Sequence, residues 1–270
     1  MSEPRRRRSA RRGSDAERAF LSPAPPRVLA HRGLAREAPE NTLLAFLHAI
    51  NLGVTHIETD VHGSADGVAM ISHDPDLKRV AGRDVKVAQL TAAELRRVPL
   101  GDGQNYCSLA DALDAFPDTR FNIDVKSADA IAGTIKTIRD LKATDRVLIG
   151  SFSTARRRAV VRELPGVATS ISASAAVPVT HAARVGAIAP LTRMLDGVQA
   201  VQFPTRILGA SVVTERAIRS FHAAGVEVHI WTINEPDEMT ELLDRGVDGI
   251  VTDRADLALA VLAERTQKAT

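Results

Sequence analysis

The sequence predicts an α/β protein, a TIM (β/α)8 barrel with a short insertion between the second and third barrel strands. Three observations carry that prediction. Eight short apolar runs, at 28–31, 56–61, 121–125, 146–150, 167–171, 198–202, 226–231 and 248–251, alternate with helical patterns, as parallel strands joined by crossovers require. Several of the helical stretches carry readable caps. The chain has 270 residues, the length that one such barrel consumes.

Residues 1–26 stand apart. Through Arg27 the start holds eight arginines against Glu3, Asp15 and Glu17, a net +5, whereas the whole chain carries +2, so the remainder is mildly acidic at −3. That composition, ending in Ser22-Pro23-Ala24-Pro25-Pro26, reads as a disordered Arg/Pro-rich tail. Clustered arginine there offers weak attraction to an anionic membrane. The barrel is assigned to residues 27–265, with residues 75–110 as the small insertion.

Along the barrel, Thr42 is placed to cap LLAFLHAINL, whose Leu43, Phe46, Leu47 and Ile50 form one apolar stripe before Gly53. Val68–Ser72 reads as an extra strand after the turn-forming Asp66-Gly67. Residues 61–73 are therefore expected to form a hairpin-like excursion that carries His73 back over the barrel mouth. In the insertion, Thr91 and Glu94 have capping-box spacing. Thr214 opens a helix that ends before Gly225, and Asn234 is expected to open another that ends before Gly246. Residues 172–196 read as the helical layer after the fifth strand or as part of a lid.

Composition narrows the function classes. Hydrophobic residues make up 44% and charged residues 25%, enough for a sizeable core. Aromatics are only 3%, which removes the stacking platforms a single-strand nucleic-acid binder uses, and no sequence-specific nucleic-acid partner is expected. No apolar run approaches the ~20 residues of a membrane span. Cys107 is the single cysteine, so an intrachain disulfide is impossible and a reducing, cytoplasmic setting is the expectation. Oligomeric state is open.

Barrel chemistry gathers at the C-terminal ends of the strands, and that is where the informative residues fall. His31 ends the first strand and Arg32 follows it. Glu58 and Asp60 lie two apart on the second strand and share a face; Asp124 and Lys126 repeat the spacing on the third. Three carboxylates aimed into one mouth repel unless a cation joins them, and an all-oxygen set favours Mg²⁺ or Ca²⁺. Arg32 and Lys126 suit a phosphate, and His31 and His73 can exchange a proton near neutral pH. A metal, a phosphate clamp and a proton-relay pair together describe phosphoester cleavage. His48, His56, His62, His181, His222 and His229 are read as structural, with His62 the closest of them to the site.

The motifs then resemble one family. His31-Arg32-Gly33, Pro39-Glu40-Asn41-Thr42, Glu58-Thr59-Asp60-Val61, Asp66-Gly67, His73-Asp74, Asn122-Ile123-Asp124-Val125-Lys126, Ser151-Phe152, Trp231-Thr232-Ile233-Asn234 and the stretch Gly246 to Asp253 occur in order across 28–257. They resemble the glycerophosphodiester phosphodiesterases of the phospholipase-C-like barrel superfamily. The resemblance implies His31 and His73 as the general acid/base pair and Arg32 and Lys126 as phosphate contacts. It implies Trp231 in the glycerol pocket, and Glu58, Asp60 and Asp124 around a divalent cation. The family usually has Glu where this chain has Asp124, one methylene shorter. Glu40, Asn41 and Asp74 would brace the site. The implied reaction is hydrolysis of small glycerophosphodiesters to glycerol 3-phosphate and an alcohol. The alternatives are a lysophospholipase-D-like or phosphoinositide-cleaving enzyme at a membrane surface, and a catalytically silent barrel that binds a phosphorylated metabolite.

Overall fold

A computed structural model describes residues 19–269. Eight parallel strands form the barrel: β1 (Arg27–His31), β2 (His56–Gly63), β3 (Arg120–Val125), β4 (Val147–Gly150), β5 (Ala168–Thr169), β6 (Ala200–Phe203), β7 (Glu227–Ile230) and β8 (Gly249–Thr252). The hydrogen-bonded order is β5-β4-β3-β2-β1-β8-β7-β6. A parallel bridge between Ser170 and Ala200 joins the two ends and closes the barrel. The helices that cross between strands are α1 (Leu43–Asn51), α2 (Leu109–Ala115), α3 (Ala130–Asp140), α4 (Thr154–Glu163), α5 (Ala173–Val185), α6 (Ile188–Met194), α7 (Glu215–Ala223), α8 (Pro236–Asp244) and α9 (Ala255–Ala269). The expected TIM barrel is the observed fold.

Two-residue periodicity divides each strand between two environments. On β2, Ile57 and Val61 face the helices and join the main core, as do Phe121, Ile123 and Val125 on β3 and Val147 and Ile149 on β4. The alternate residues, among them His56, Glu58 and Asp60, occupy the other face of the sheet, the inside of the barrel. The main apolar core therefore lies between sheet and helices, and the upper part of the barrel interior is polar. Register sets polar residues side by side: His31 pairs with Glu58, Glu58 with Asn122, and Asp60 with Asp124.

Capping follows the sequence at Thr42, whose side chain accepts from Ala45 N, and at Thr214, which accepts from Ala217 N. Thr91 and Glu94 form the full capping box. Asn234 departs from expectation. The cap position of α8 is Glu235, without a side-chain cap bond, and Asn234 instead bonds to the end of β8, donating to Asp253 Oδ2 at 2.9 Å and accepting from Asp253 N at 2.9 Å. The strand-end carboxylate competes with the helix for that amide and wins.

The excursion after β2 is as expected. Ala69–Ile71 pairs antiparallel with β2, Val61 opposite Ile71. The insertion beyond it is two short hairpins and two single-turn helices over a satellite core of Met70, Leu77, Val87, Leu95, Val98 and Tyr106. Residues 172–196 form α5 and α6.

One boundary moves. Most of the Arg-rich tail lies outside the described residues, but residues 19–26, expected to lie outside the fold, pack beneath the barrel. Phe20 is fully buried with Leu148, Ala168 and Ala200, and its ring meets the His56 ring edge-on at 5.2 Å. His56 Nε2 bonds the Phe20 carbonyl at 2.8 Å, and Arg120 donates to Ala19 O at 2.9 Å. Arg27 donates to Leu21 O at 2.9 Å while pairing with Glu227 at 2.6 Å. The small side chains Ala168 and Ala200 leave a hole at the bottom of the barrel, and Phe20 fills it.

Candidate active site

The opposite end of the barrel holds a cavity of about 440 Å³. His31, Arg32, Glu58, Asp60, Asp124 and Lys126 line it, together with His73 and Trp231. All five catalytic or substrate-binding candidates and all three carboxylates thus share one space.

The β1 loop is built to turn sharply into that space. Arg32 adopts a left-handed backbone with φ 57°, and Gly33 follows at φ 85°. A Cβ on Gly33 would stand 2.7 Å from the Ala45 backbone carbon, so only glycine fits against α1. Asn41, also left-handed at φ 58°, donates to Asp60 Oδ2 at 3.2 Å and accepts from Thr59 Oγ1 at 2.7 Å. Its role is to brace Asp60.

Each histidine is oriented by a carboxylate on Nδ1. His31 Nδ1 lies 2.6 Å from Asp253 Oδ1, and its Nε2 is 3.9 Å from Glu58 Oε2. Burial alone would lower the His31 pKa, but the Asp253 hydrogen bond and the Glu58 charge outweigh it and raise it above the ordinary 6.5. His73 Nδ1 lies 2.7 Å from Asp74 Oδ1. The His73 backbone is held from below by His62, whose Nε2 bonds its carbonyl at 3.2 Å. In both dyads a carboxylate accepts the Nδ1–H hydrogen bond, which leaves Nε2 for chemistry.

A chain of charges ties the dyads together. Arg79, from the insertion, pairs with Asp74 at 2.5 Å and with Glu40 at 2.6 Å. Glu40 also takes Arg32 at 3.0 Å, and Arg32 Nε stands 3.4 Å from Asp60. Glu40 therefore braces both Arg32 and, through Arg79, the loop that carries His73.

The carboxylates do not close into a cage. The Lys126 ammonium stands between Asp60 at 2.8 Å and Asp124 at 2.7 Å. Burial opposes its charge, yet those two carboxylates push its pKa up to about 12. Among the described residues no group of three or more His, Cys, Asp or Glu side chains is arranged to hold a metal ion. The oxygens nevertheless remain short of positive charge. Burial first, and then the Asp60 charge, raise the Glu58 pKa, and burial raises that of Asp124. Asp124 Oδ1 is buried without a hydrogen-bond partner. A hard divalent cation matches that donor set.

At the mouth, Trp231 lies against Phe152, ring centroids 6.3 Å apart, and the Lys126 ammonium sits 5.5 Å from the Phe152 centroid. Four residues contribute here that the sequence leaves without a role in the site. Asp253 follows β8 and Phe152 belongs to the Ser151-Phe152 motif, but neither is assigned a function from sequence. His62 reads as structural, and Arg79 gives no periodic or spacing signal.

Two carboxylate-oriented imidazoles, a cluster of acid and base on adjacent strands, and an arginine and lysine at a barrel mouth define an enzyme that cleaves phosphoric diesters. A family model described as the glycerophosphoryl diester phosphodiesterase family matches residues 31–257. A Mycobacterium tuberculosis protein described as "Probable glycerophosphodiester phosphodiesterase 2" is 45% identical over 240 residues, covering 88% of this chain and 91% of that one. A glycerophosphodiester phosphodiesterase structure from Thermotoga maritima superposes with TM-score 0.69 at 28% identity, covering 87% of this chain and 97% of the other. An Oleispira antarctica phosphodiesterase, solved in complex with the product sn-glycerol-3-phosphate, shares the fold with TM-score 0.71 at 22% identity, covering 88% and 97%. The chain belongs to the glycerophosphoryl diester phosphodiesterase family. Its activity is glycerophosphodiester phosphodiesterase activity.

Proposed function

We propose that the chain hydrolyses glycerophosphodiesters to glycerol 3-phosphate and an alcohol by proton transfer between His31 and His73, with Mg²⁺ or Ca²⁺ held by Glu58, Asp60 and Asp124. The observation that carries this reading is the pair of imidazoles in one cavity, each with Nδ1 committed to a carboxylate, Asp253 or Asp74. One Nε2 takes the proton of the attacking hydroxyl or water, and the other returns a proton to the leaving alkoxide. The Arg32 guanidinium and Lys126 ammonium orient the phosphate and stabilise its developing charge. When bound, the cation polarises the phosphoryl group and makes the nucleophile more acidic.

A coupled glycerol-3-phosphate assay on glycerophosphocholine tests both parts. His31→Ala and His73→Ala are each expected to lower the rate at least ~10²-fold, and chelator is expected to abolish turnover until Mg²⁺ or Ca²⁺ is returned. Full activity in either variant sinks the acid/base pair, and turnover indifferent to chelator sinks the metal.

One observation favours a second reading. Phe152, Val177 and Leu208 line the cavity yet stand 55%, 48% and 87% exposed. Apolar side chains gathered beside a polar site suit a leaving group with a hydrocarbon chain, presented at a lipid surface. Turnover of lysophosphatidylcholine at a rate matching glycerophosphocholine would favour that reading; its absence favours the small diester. No helix among the described residues is long and apolar enough to cross a membrane.

A further inference from the structure

Away from the histidines, the cavity floor is built from β3, β4 and β6 and the segment that follows β5, and it holds polar atoms that proton transfer does not use. Asn122 is 6% exposed and Ser172 2% exposed; Asn122 Oδ1 and Ser172 Oγ have no hydrogen-bond partner, and both residues line the cavity. Ser172 occupies the cap position of α5, where serine ordinarily accepts a bond from a first-turn N–H. Here it makes none, so its hydroxyl is left for something other than the helix. Native interiors seldom leave such groups unpaired.

Gly150 sits in the same floor. A Cβ there would come 3.4 Å from Ser170 Oγ and 3.9 Å from Gln202 Oε1, so those two oxygens border the space that the glycine leaves open. Gln202 is oriented by its Nε2, 3.3 Å from His229 Nδ1, which commits the amide nitrogen and leaves the oxygen as the free acceptor. The floor is thus neutral and rich in acceptors, with two hydroxyls that can also donate. It matches O–H donors. Its amide oxygens do not favour a phosphate.

We propose that Asn122, Ser170, Ser172 and Gln202, around Gly150, bind the hydroxyl groups of the substrate's polyol portion. This assignment rests on the reading of the cavity as the phosphodiester site. It makes these four residues determinants of specificity, acting on substrate binding and not on proton transfer.

The test uses the full chain with Mg²⁺ present, and two variants. Ser172→Ala removes one hydroxyl. Gly150→Ala places a methyl in the open space at ordinary contact distances and without a left-handed backbone. Calorimetry compares glycerol 3-phosphate with methyl phosphate, which lacks the hydroxyls. The unaltered chain is expected to prefer glycerol 3-phosphate, and each variant to narrow that preference by about 3- to 10-fold, the value of one neutral hydrogen bond, with methyl phosphate binding unmoved. Kinetics then check which half is bound, since glycerol 3-phosphate carries only the glyceryl half. KM is expected to rise alike for glycerophosphocholine and glycerophosphoglycerol; a rise for glycerophosphoglycerol alone would assign the floor to the leaving alcohol and overturn the glyceryl reading. No preference in the unaltered chain, or an unchanged preference in both variants, overturns the proposal. Failure to hydrolyse either diester would overturn the catalytic reading instead, and the binding ratio would still decide this one.

Discussion

His31 shows how much of the chemistry depends on a single neighbour. Its ring is mostly buried, and burial by itself disfavours the imidazolium. Asp253, 2.6 Å from Nδ1, reverses that balance and fixes the ring orientation. Replacement of Asp253 by Asn leaves the shape and removes the anionic acceptor. The expected result is a kcat lowered at least ~10-fold with KM little changed, since Asp253 does not line the cavity and acts through His31. Steady-state kinetics at fixed metal concentration check this, and a variant with unaltered kcat would remove Asp253 from the mechanism. At this scale the sequence was informative wherever a polar residue ended an apolar run, as at His31, Glu58, Asp60 and Asp124. It was silent at Arg79 and gave Phe152 no role beyond the Ser151-Phe152 motif, because their significance comes from partners brought together only by folding.

Among elements, the insertion after β2 matters most. Its hairpin pairs with β2 and delivers His73, but Arg79 holds that delivery in place by gripping Asp74 and Glu40. The Arg79 side chain is half exposed, and exposed ion pairs contribute only about 0–1 kcal/mol to stability. Arg79→Ala is therefore expected to change the melting temperature little while lowering kcat about 10-fold, with Arg79→Lys restoring part of the loss. Melting curves and turnover measured on the same preparations separate the two effects. A melting temperature that collapses together with the rate would make Arg79 a structural residue only. The hairpin itself was legible because Asp66-Gly67 is a turn signal and Val68–Ser72 is apolar. The two smaller hairpins of the insertion were not, since two-residue strands leave no periodic trace. Asn234 misled for a related reason: its spacing from the next helix is that of a cap, and only the fold brings Asp253 within reach.

The barrel holds its cavity at one end and is plugged by Phe20 at the other. Phe20→Ala empties a fully buried aromatic site and is expected to cost about 3–5 kcal/mol in denaturant unfolding. A loss under 1 kcal/mol would mean that residues 19–26 do not belong to the barrel. Beneath it, burial first of all pushes the His56 pKa down to about 3 from the ordinary 6.5. His56 is neutral in the folded chain, and the unfolded chain binds a proton below about pH 6.5. Stability is thus unaffected by His56 above that pH and falls as the pH drops from 6.5 toward 3, by up to ~1.4 kcal/mol per pH unit. Unfolding measured at pH 7, 5.5 and 4.5 should show this slope, and His56→Gln should flatten it. An unchanged slope in the variant would place the acid sensitivity elsewhere.

The alternation of eight apolar runs with capped helical patterns determined the barrel, because local periodicity and crossover length leave few other closed arrangements. Polar residues at successive strand ends determined which end is chemical and which reaction type it serves. Tertiary structure decided the rest. It brought Asp60 to the Lys126 ammonium, gave His31 its acid in Asp253, left the Ser172 hydroxyl without a bond to its helix, and carried Phe20 under the barrel. Asp60 and Lys126, His31 and Asp253, and Phe20 and Ala200 are tens to hundreds of positions apart, and such distances come into being only when the chain closes on itself.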